Sequence, residues 1–408
     1  MQTRRRFLVA GVLVALLAGC GGRSGPRLVV GPTTSLVDQP VSIEVSGVRT
    51  GTLVRISAVE DGWVGSGIFR ADRHGKVSPA RQSSLAGTYT GLKPMGLFWS
   101  MKSGPGLGPY FGGTVVVTAT VKGAVVSRAH LTRLGKAAGV TETPLLVSGA
   151  GFLGRYYRPA PGANRHVPVL LIGGSEGGLS MTGEAALLAS HGYPALDVAY
   201  FGAYGLPHNL ERIPLEYFVR AARWLGRRPG VDGRRLVVYG VSRGTEAAQL
   251  LAAHFPKLFA GVIVLSPASD VHPAFVPGDP APHGAAWTID GRPLEPGSPI
   301  PYRSIKADVF VTAGLEDDLF LSYTALLDIE SKLGRVPHRR VVATIYQHAG
   351  HFVDTATPYL PFADTYYDEA LGLTQTLGGT SAGESAARAD EWPRILRFIG
   401  SVRARPGV

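Results

Sequence analysis

The chain of 408 residues is almost free of cysteine, and Cys20 is its only thiol. A single thiol excludes a disulfide framework within the chain and any Cys-x-x-Cys metal or redox pair. The 11 histidines form no His-Glu-x-x-His string, which is the helical zinc motif of many metallohydrolases. We therefore expect a protein that works without a metal and without a cofactor.

Acidic residues are in the minority, with 30 Asp and Glu against 41 Lys and Arg, and the formal net charge is +11. No run of Lys and Arg is interleaved with aromatic residues, and no nucleic-acid-binding motif occurs. A charge excess of this kind indicates a solvated, arginine-rich surface that favours anionic surfaces or substrates. We expect no nucleic-acid partner.

The amino terminus lacks an apolar run long enough to cross a bilayer, because residues 9–18 supply only ~10 positions where about 20 are needed. The preceding segment 3–8 is similar to a twin-arginine export motif, and Leu17-Ala-Gly-Cys20 is similar to a bacterial lipobox. We therefore interpret residues 1–20 as an export signal, with Cys20 lipidated after cleavage. The expected location is the outer face of a bacterial cytoplasmic membrane or cell envelope, to which this lipid would anchor the protein.

The rest of the chain divides into two parts with different periodicity. Residues 21–140 alternate apolar and polar positions between turn residues, which predicts an Ig-like antiparallel β-sandwich. Residues 141–408 alternate strand and helix patterns, which predicts an α/β-hydrolase domain, a mostly parallel sheet with helices on both faces. Within it, segment 266–303 predicts an irregular excursion, and segment 378–384 predicts a flexible stretch before a last helix over 386–402.

Two Gly-x-Ser-x-Gly strings follow apolar runs, and both have the spacing of a nucleophile elbow. One is Gly240-Val-Ser-Arg-Gly244 and the other is Gly173-Gly-Ser-Glu-Gly177. In such an elbow a strand turns sharply into a helix, and the flanking glycines let the serine Oγ stand in a cleft. Spacing alone leaves Ser242 and Ser175 as alternatives.

The order of the predicted strands separates these two serines. Ser175 follows the third strand of the expected core, and Ser242 follows the fifth. In an α/β-hydrolase the fifth strand leads to the nucleophile, and the loop after the third supplies a second oxyanion donor. We therefore predict Ser242 as the nucleophile and the backbone N–H groups of Arg243, Gly174 and Ser175 as the oxyanion hole.

The acid of this fold is expected at the carboxyl end of a strand that follows the nucleophile. The strand pattern over 309–313 ends in Gly314-Leu-Glu-Asp-Asp318. We predict Asp317 as the acid, and Glu316 and Asp318 are the alternatives.

The base is expected last in chain order. The strand pattern over 341–346 leads into Gln347-His-Ala-Gly-His351. We predict His351 as the base, with His348 as the alternative. His351 would take the proton of Ser242 while Asp317 orients its ring and stabilises the imidazolium.

Several stretches resemble the acyl-CoA thioesterase and bile acid-CoA:amino acid N-acyltransferase family. Gly91-Leu-Lys-Pro-Met-Gly-Leu-Phe-Trp99 is similar to the family's Gly-Leu-x-Pro-Met-Gly-Leu-x-Trp signature, and residues 229–246 are similar to its approach to the nucleophile. The resemblance extends over nearly all of the mature chain. It implies a β-sandwich followed by an α/β-hydrolase domain, with Ser242, Asp317 and His351 in the catalytic positions.

The resemblance also implies a substrate with an acyl thioester or ester bond. Family members that conjugate amino acids are known for cysteine at the nucleophile position, so serine favours hydrolysis here. We predict a serine acyl hydrolase; the alternatives are an acyltransferase with an amine or envelope-lipid acceptor, and a lipid-anchored binding protein without catalysis. The leader departs from the family, because coenzyme A is a cytosolic metabolite that an exported enzyme would seldom meet.

Overall fold

A computed structural model describes residues 25–103, 112–279, 281, 283–334, 339–361, 365–368 and 373–404. The predicted export signal and Cys20 lie outside these residues. None of the helices in this described part combines the length and the apolar character that crossing a bilayer requires.

The amino-terminal part consists of short strands and one helical turn. In chain order they are β1 (Arg27–Gly31), β2 (Thr34–Leu36), β3 (Ser42–Ser46), β4 (Leu53–Glu60), β5 (Trp63–Arg70), β6 (Ala86–Gly87), α1 (Gly96–Trp99), β7 (Thr114–Val121) and β8 (Ala124–Leu134). A six-stranded sheet has the order β2-β8-β7-β4-β5-β6, and β1 pairs with β3 in a second sheet. All pairs are antiparallel except β2 with β8. The predicted antiparallel sandwich is confirmed, with one parallel edge pair.

The alternating pattern of these strands builds the sandwich core. In β4, Val54, Ile56 and Ala58 are buried while their neighbours face outward or lie at the edge. They pack with Ile43 and Val45 of β3 in one apolar cluster. Because successive side chains of a strand point to opposite faces, the period-two sequence pattern buries one face of each sheet.

The carboxyl-terminal part alternates strands with helices. In chain order they are β9 (Thr141–Leu145), α2 (Val147–Ala150), β10 (Leu153–Arg158), β11 (Val169–Ile172), α3 (Thr182–Ser190), β12 (Ala195–Ala199), β13 (Ile213–Pro214), α4 (Leu215–Gly226), β14 (Val237–Val241), α5 (Gly244–His254), β15 (Gly261–Leu265), β16 (Trp287–Ile289), β17 (Arg292–Pro293), β18 (Asp308–Gly314), α6 (Ser322–Leu333), β19 (Val341–Tyr346), β20 (Thr365–Asp368), β21 (Leu373–Thr376) and α7 (Ser381–Ser401).

The central sheet has eight strands in the order β19-β18-β15-β14-β11-β12-β10-β9. Its neighbours are parallel except at β10, which is antiparallel to both β12 and β9. The apolar faces of α4, α5 and α6 pack on one side of the sheet, and those of α3 and α7 on the other. This is the α/β-hydrolase architecture that the sequence predicts, with β11 as its third and β14 as its fifth strand.

The start of α7 corrects one expectation from the sequence. The glycine-rich segment 378–384 predicts flexibility, but residues 381–384 are helical. Thr380 caps the helix, because its Oγ1 accepts a hydrogen bond from the N–H of Gly383 at 3.0 Å. A Cβ on Gly383 would lie 1.9 Å from the carbonyl oxygen of His348, so this glycine allows the helix to pack against that loop.

Asp38 links the β-sandwich to the α/β part. Its buried carboxylate accepts a hydrogen bond from Trp392 Nε1 of α7 at 2.7 Å, and His191 Nε2, after α3, binds the same oxygen. Leu36 and Val37 next to it belong to the same apolar cluster as Trp392. The two parts of the chain therefore share a polar contact inside an apolar boundary.

We expect Asp38→Ala to lower the free energy of unfolding by about 1–3 kcal/mol, because a buried indole N–H loses its acceptor. Denaturant unfolding followed by tryptophan fluorescence measures the change. Glu44→Ala is the matched control, since Glu44 pairs with Lys76 on the exposed surface at 2.9 Å, and we expect it to cost less than about 1 kcal/mol. Equal midpoints for both variants would contradict a structural role for Asp38.

Candidate active site

Ser242 occupies a sharp turn between a strand and a helix. β14 ends at Val241, and α5 begins at Gly244. The φ angle of Ser242 is 49°, in the left-handed region that costs a residue with a side chain about 1–3 kcal/mol. The Ser242 N–H donates to the carbonyl of Leu265 at 3.1 Å, and the Thr245 N–H donates to the carbonyl of Ser242 at 3.0 Å. These bonds hold the strained turn in place.

The glycines on either side of this serine are required by close contacts. A Cβ on Gly240 would lie 2.3 Å from the carbonyl oxygen of Gly244. A Cβ on Gly244 would lie 2.3 Å from the carbonyl oxygen of Ile172 and 2.4 Å from that of Gly173. The spacing in the sequence therefore reflects a turn packed tightly against the end of β11.

Ser242, His351 and Asp317 form a hydrogen-bonded chain. The Oγ of Ser242 lies 3.0 Å from Nε2 of His351. On the other side of the ring, Nδ1 lies 3.0 Å and 3.2 Å from the two carboxylate oxygens of Asp317. A neutral ring that donates from Nδ1 to the carboxylate has a lone pair on Nε2, which can accept the serine proton. All three side chains are buried.

Backbone groups and an aromatic ring fix the carboxylate and the imidazole. Asp317 Oδ1 accepts hydrogen bonds from the N–H groups of Leu319 at 3.0 Å and Phe320 at 2.9 Å. The ring of Phe320 meets the ring of His351 edge-on, with centroids 5.3 Å apart. The carbonyl of His351 also accepts from the hydroxyl of Ser266 at 2.7 Å. The positions of Asp317 and His351 are therefore fixed by contacts with the loops around them.

The pKa of His351 is raised above its ordinary value of 6.5. Burial alone would lower this pKa, but the hydrogen bond to Asp317 and the negative charges of Asp354, Asp317 and Glu384 outweigh burial. The surroundings thus favour the protonated ring. A base that takes a proton from a hydroxyl requires this kind of stabilisation.

The alternative acids, Glu316 and Asp318, and the alternative base, His348, lie outside the hydrogen-bonded chain of Ser242, His351 and Asp317. Nδ1 of His348 is 2.8 Å from Glu316 Oε1, and both side chains are exposed. Asp318 accepts a hydrogen bond from the hydroxyl of Thr376 at 3.2 Å. Within the described residues, no group of three or more His, Cys, Asp or Glu side chains is arranged to hold a metal ion.

The loop after β11 lies against the nucleophile. A Cβ on Gly174 would lie 2.8 Å from Oε2 of Glu176 and 3.0 Å from Cβ of Ser242, so a larger residue would crowd the nucleophile. The hydroxyl of Tyr200 donates to the carbonyls of Gly173 at 2.8 Å and Gly174 at 3.0 Å, which fixes the loop from behind. The N–H of Gly174 donates to Oε1 of Glu176 at 2.9 Å. The Gly174 N–H, which the sequence predicts as an oxyanion donor, is therefore already hydrogen-bonded to the carboxylate of Glu176.

A buried glutamate ties the irregular segment 266–303 to the helix after the nucleophile. Glu246 of α5 lies 2.9 Å from Nε of Arg243 and accepts a hydrogen bond from Trp287 Nε1 at 2.8 Å. His272 Nδ1 is 3.0 Å from the same carboxylate, and Arg243 Nη2 donates to the carbonyl of Pro273 at 2.8 Å. The forked guanidinium thus joins two partners, which a lysine at position 243 would reach less well.

Two carboxylates at the site escape prediction from the sequence. They are Glu176 on the Gly174 N–H and Asp354, whose Oδ2 lies 3.6 Å from Nε2 of His351. Asp354 is three residues after His351, and in a helical turn this spacing brings both residues onto one side. The spacing is the one feature of the sequence that could have indicated Asp354 as a site residue. Glu176 lies within the predicted oxyanion loop, but no periodic pattern indicates where its side chain points.

The order of the eight-stranded sheet places the protein among the α/β-hydrolases. A buried serine, histidine and aspartate meet at the carboxyl edge of this sheet. The model for "Acyl-CoA thioester hydrolase/BAAT N-terminal region" matches residues 38–146. The model for "BAAT / Acyl-CoA thioester hydrolase C terminal" matches residues 213–278 and 288–402. Together these matches cover well over half of the chain, which therefore belongs to the acyl-CoA thioester hydrolase/BAAT family.

Relatives named as thioesterases and relatives named as N-acyltransferases both align over most of the chain. Acyl-coenzyme A thioesterase 6 of Mus musculus is 28% identical, and the alignment covers 89% of this chain and 93% of the mouse protein. Acyl-coenzyme A amino acid N-acyltransferase 1 of Mus musculus is 25% identical, and the alignment covers 91% of this chain and 97% of the mouse protein. The family thus includes proteins named for hydrolysis and proteins named for acyl transfer.

Solved structures with a similar fold include esterases. The apo form of Thermogutta terrifontis esterase 2 has a TM-score of 0.43 and 14% identity, and the match covers 66% of this chain and 97% of that one. A thermostable esterase has a TM-score of 0.41 and 13% identity, with 92% and 98% covered. Both are distant neighbours.

Proposed function

We propose that the protein is a serine acyl hydrolase of the thioesterase type, which cleaves an acyl thioester or ester through an acyl-enzyme on Ser242. The observation that carries the proposal is the 3.0 Å distance between Ser242 Oγ and His351 Nε2, with Asp317 on the other ring nitrogen. Membership of a family whose members are named as thioesterases supports the reaction class.

In the first half-reaction, Ser242 Oγ attacks the acyl carbon and its proton passes to Nε2 of His351. The bond from the acyl carbon to sulfur or oxygen then breaks, and the leaving group takes that proton. In the second half-reaction, water attacks the acyl-enzyme and gives a proton to Nε2. The bond to Oγ breaks, Oγ regains the proton, and the carboxylic acid leaves.

The developing oxyanion would be held by the backbone N–H groups of Arg243 and of the loop that contains Gly174 and Ser175. Each donor of this kind contributes about 100-fold or more to the rate. Because Glu176 accepts from the Gly174 N–H at 2.9 Å, this N–H can bind the oxyanion only after the carboxylate has moved away. A role for the Gly174 N–H therefore requires Glu176 to change its contacts when substrate binds.

A fluorophosphonate probe tests the proposed nucleophile, because it reacts with activated serines and not with ordinary ones. The protein should be labelled on the peptide that contains Ser242. Ser242→Ala should abolish labelling, and Ser175→Ala should retain it. Labelling that stays in Ser242→Ala, or that maps to Ser175, would contradict the assignment.

The pH profile offers a second test. Neutral His351 is the active form, and the pKa of this ring is raised, chiefly by its hydrogen bond to Asp317 working against burial. We therefore expect kcat/KM to fall as the pH drops through a limb that lies above pH 6.5. In Asp317→Asn the limb of the residual activity should move to lower pH, because the carboxylate that favours the protonated ring is gone.

Acyl transfer is the second candidate reaction, because relatives named N-acyltransferases align over 91% of the chain. An amine or an envelope-lipid acceptor would replace water in the second half-reaction. Product analysis with glycine, ethanolamine and phosphatidylethanolamine in competition with water distinguishes the two reactions. A conjugated product in excess of the free acid would favour transfer.

We also propose that Cys20 carries a lipid anchor and that the protein is exported. The support is the leader of residues 1–20, with its short apolar run and lipobox-like end. Full-length protein expressed in bacteria should incorporate radiolabelled palmitate and partition into the detergent phase. Cys20→Ala should lose both properties, and labelling of this variant would contradict the anchor.

The choice of substrate also bears on whether the protein is exported. An exported enzyme would seldom meet coenzyme A thioesters, so we expect simple esters and other thioesters to be cleaved at least as well as acyl-CoA. Comparing kcat/KM for acyl-CoA and for p-nitrophenyl esters of equal chain length measures this preference. A strong preference for acyl-CoA would argue against export.

A further inference from the structure

Asp354 lies beside the proposed nucleophile on the same side of the catalytic imidazole. Its Oδ2 is 3.6 Å from Nε2 of His351, and Ser242 Oγ is 3.0 Å from that same nitrogen. The short helical turn His351–Asp354 fixes the carboxyl three residues after the base. Asp317, in contrast, contacts the opposite nitrogen of the ring.

One oxygen of the Asp354 carboxyl has no hydrogen bond within the described residues. This oxygen, Oδ1, is buried. The distance from Oδ2 to the ring is too long for a hydrogen bond. Its side chain is nevertheless nine-tenths buried, with 10% of its surface exposed. A buried polar oxygen without a partner needs an explanation, and the position of this carboxyl beside Nε2 of His351 points to a role in the reaction.

From this geometry we propose that Asp354 positions the nucleophile of the second half-reaction, the water or amine that releases the acyl group from Ser242. This inference rests on the proposed function. An attacking water has two hydrogens. One points to Nε2 of His351, which removes it, and the other would be accepted by the carboxylate of Asp354. Two fixed acceptors orient the lone pair of the water oxygen towards the acyl carbon.

The first half-reaction does not require this acceptor. There the attacking atom is Ser242 Oγ itself, which is held by the protein backbone and has only one hydrogen to donate. That hydrogen goes to Nε2 of His351. Asp354 should therefore affect release of the acyl group far more than formation of the acyl-enzyme.

Charged groups from four elements face Asp354: His351 on its own turn, Asp317 after β18, Glu176 in the loop after β11, and three residues of α7, which are Glu384, Arg388 and Glu391. Burial raises the pKa of Asp354 to about 7; the positive charge of His351 lowers it, and the carboxylates of Glu176, Asp317 and Glu384 raise it. The two groups titrate together, so formation of the imidazolium favours the ionised carboxylate. Asp354 is thus the better acceptor when His351 carries the proton of the attacking water.

The test measures the two half-reactions separately on the full-length protein with p-nitrophenyl trimethylacetate, a bulky ester that slows deacylation. Stopped-flow release of p-nitrophenol gives the acylation rate, and mass spectrometry of quenched samples gives the decay of the acyl-enzyme. For Asp354→Asn we expect acylation within about threefold of wild type, and deacylation slower by about 10- to 100-fold. Asp354→Glu should recover part of the deacylation rate, because it keeps a charged acceptor that is displaced by one methylene.

Glu384→Gln is the matched control. Glu384 is also a buried carboxyl near His351, but it accepts from the N–H of Gly350 at 2.6 Å and does not contact Nε2. A change that acts only through the charge on the imidazole should alter both half-reactions in parallel. If Asp354→Asn also slows both rates equally, or leaves deacylation unchanged, the positioning role is refuted.

Failure of the underlying proposal gives a different result. If no acyl group appears on Ser242 of the wild-type protein, the acyl-enzyme itself is absent. If Asp354→Asn does not fold, as judged by its circular dichroism, Asp354→Glu decides the question alone. Deacylation by Asp354→Glu at the wild-type rate would then overturn the inference, because a displaced carboxylate cannot hold the same water.

Discussion

Ser242→Ala should reduce kcat/KM by at least about 10³-fold, with the protein folded and its substrate affinity nearly unchanged. The hydroxyl is the atom that would bond to the acyl carbon, and none of the nearby groups can replace it. Its position depends on the strained φ of 49° and on two glycines that backbone contacts require. Steady-state hydrolysis of p-nitrophenyl esters, with circular dichroism to verify folding, measures this loss.

Ser175→Ala is the control for this first prediction. Ser175 has the same Gly-x-Ser-x-Gly spacing, but His351 Nε2 bonds to Ser242. Its proposed contribution is through the backbone, which alanine retains, so activity should stay within about tenfold of wild type. A larger loss in Ser175→Ala than in Ser242→Ala would reverse the assignment of the nucleophile.

Asp317→Asn should lower kcat by about 10³- to 10⁴-fold. An amide can donate to Nδ1 of His351 and so favours the tautomer that carries its hydrogen on Nε2, where it cannot accept the proton of Ser242. The amide also lacks the charge that stabilises the imidazolium. Because Leu319 and Phe320 hold the side chain at 3.0 Å and 2.9 Å, we expect the loop to keep its conformation.

The neighbouring acids provide controls within the same loop. Asp318→Asn and Glu316→Gln remove one negative charge each, near the site but outside the hydrogen-bonded chain. Asp318 contacts Thr376, and Glu316 contacts His348. We expect either variant to change kcat by less than about threefold, as for an exposed charge screened by solvent. If Asp318→Asn lost as much kcat as Asp317→Asn, the negative charge of the loop would matter and the contact with His351 would not.

The convergence of the three site residues could be predicted because they follow parallel strands. Ser242 comes after β14, Asp317 after β18 and His351 after β19, and the carboxyl ends of parallel strands lie along one edge of a sheet. Each residue therefore had to lie near that edge. The apolar runs that predict these strands were sufficient to give this order.

The choice among adjacent acids depended on contacts that spacing does not reveal. Glu316, Asp317 and Asp318 are consecutive, so each is within one residue of the favoured position. The carboxylate that meets the imidazole is the one captured by two backbone N–H groups of the following turn. Turn geometry of this kind depends on the packing of Phe320 against His351, which is a long-range contact.

The wrong expectation at the start of α7 and the omission of Glu176 and Asp354 have the same physical origin. Gly383 is a poor helix former, yet it is required where α7 meets the His348 loop, so tertiary contact overrides local propensity. Glu176 and Asp354 are in irregular turns without a repeating pattern. Only the folded loops determine that one carboxylate reaches the Gly174 N–H and the other faces Nε2 of His351.

The most direct test of the central claim is the mass of the protein quenched during turnover of an acyl thioester, followed by mapping of the modified peptide. We expect an increase equal to the acyl group, on the peptide that contains Ser242, and none in Ser242→Ala. An acyl group on Ser175 or on any other residue, with turnover intact in Ser242→Ala, would contradict the proposed mechanism.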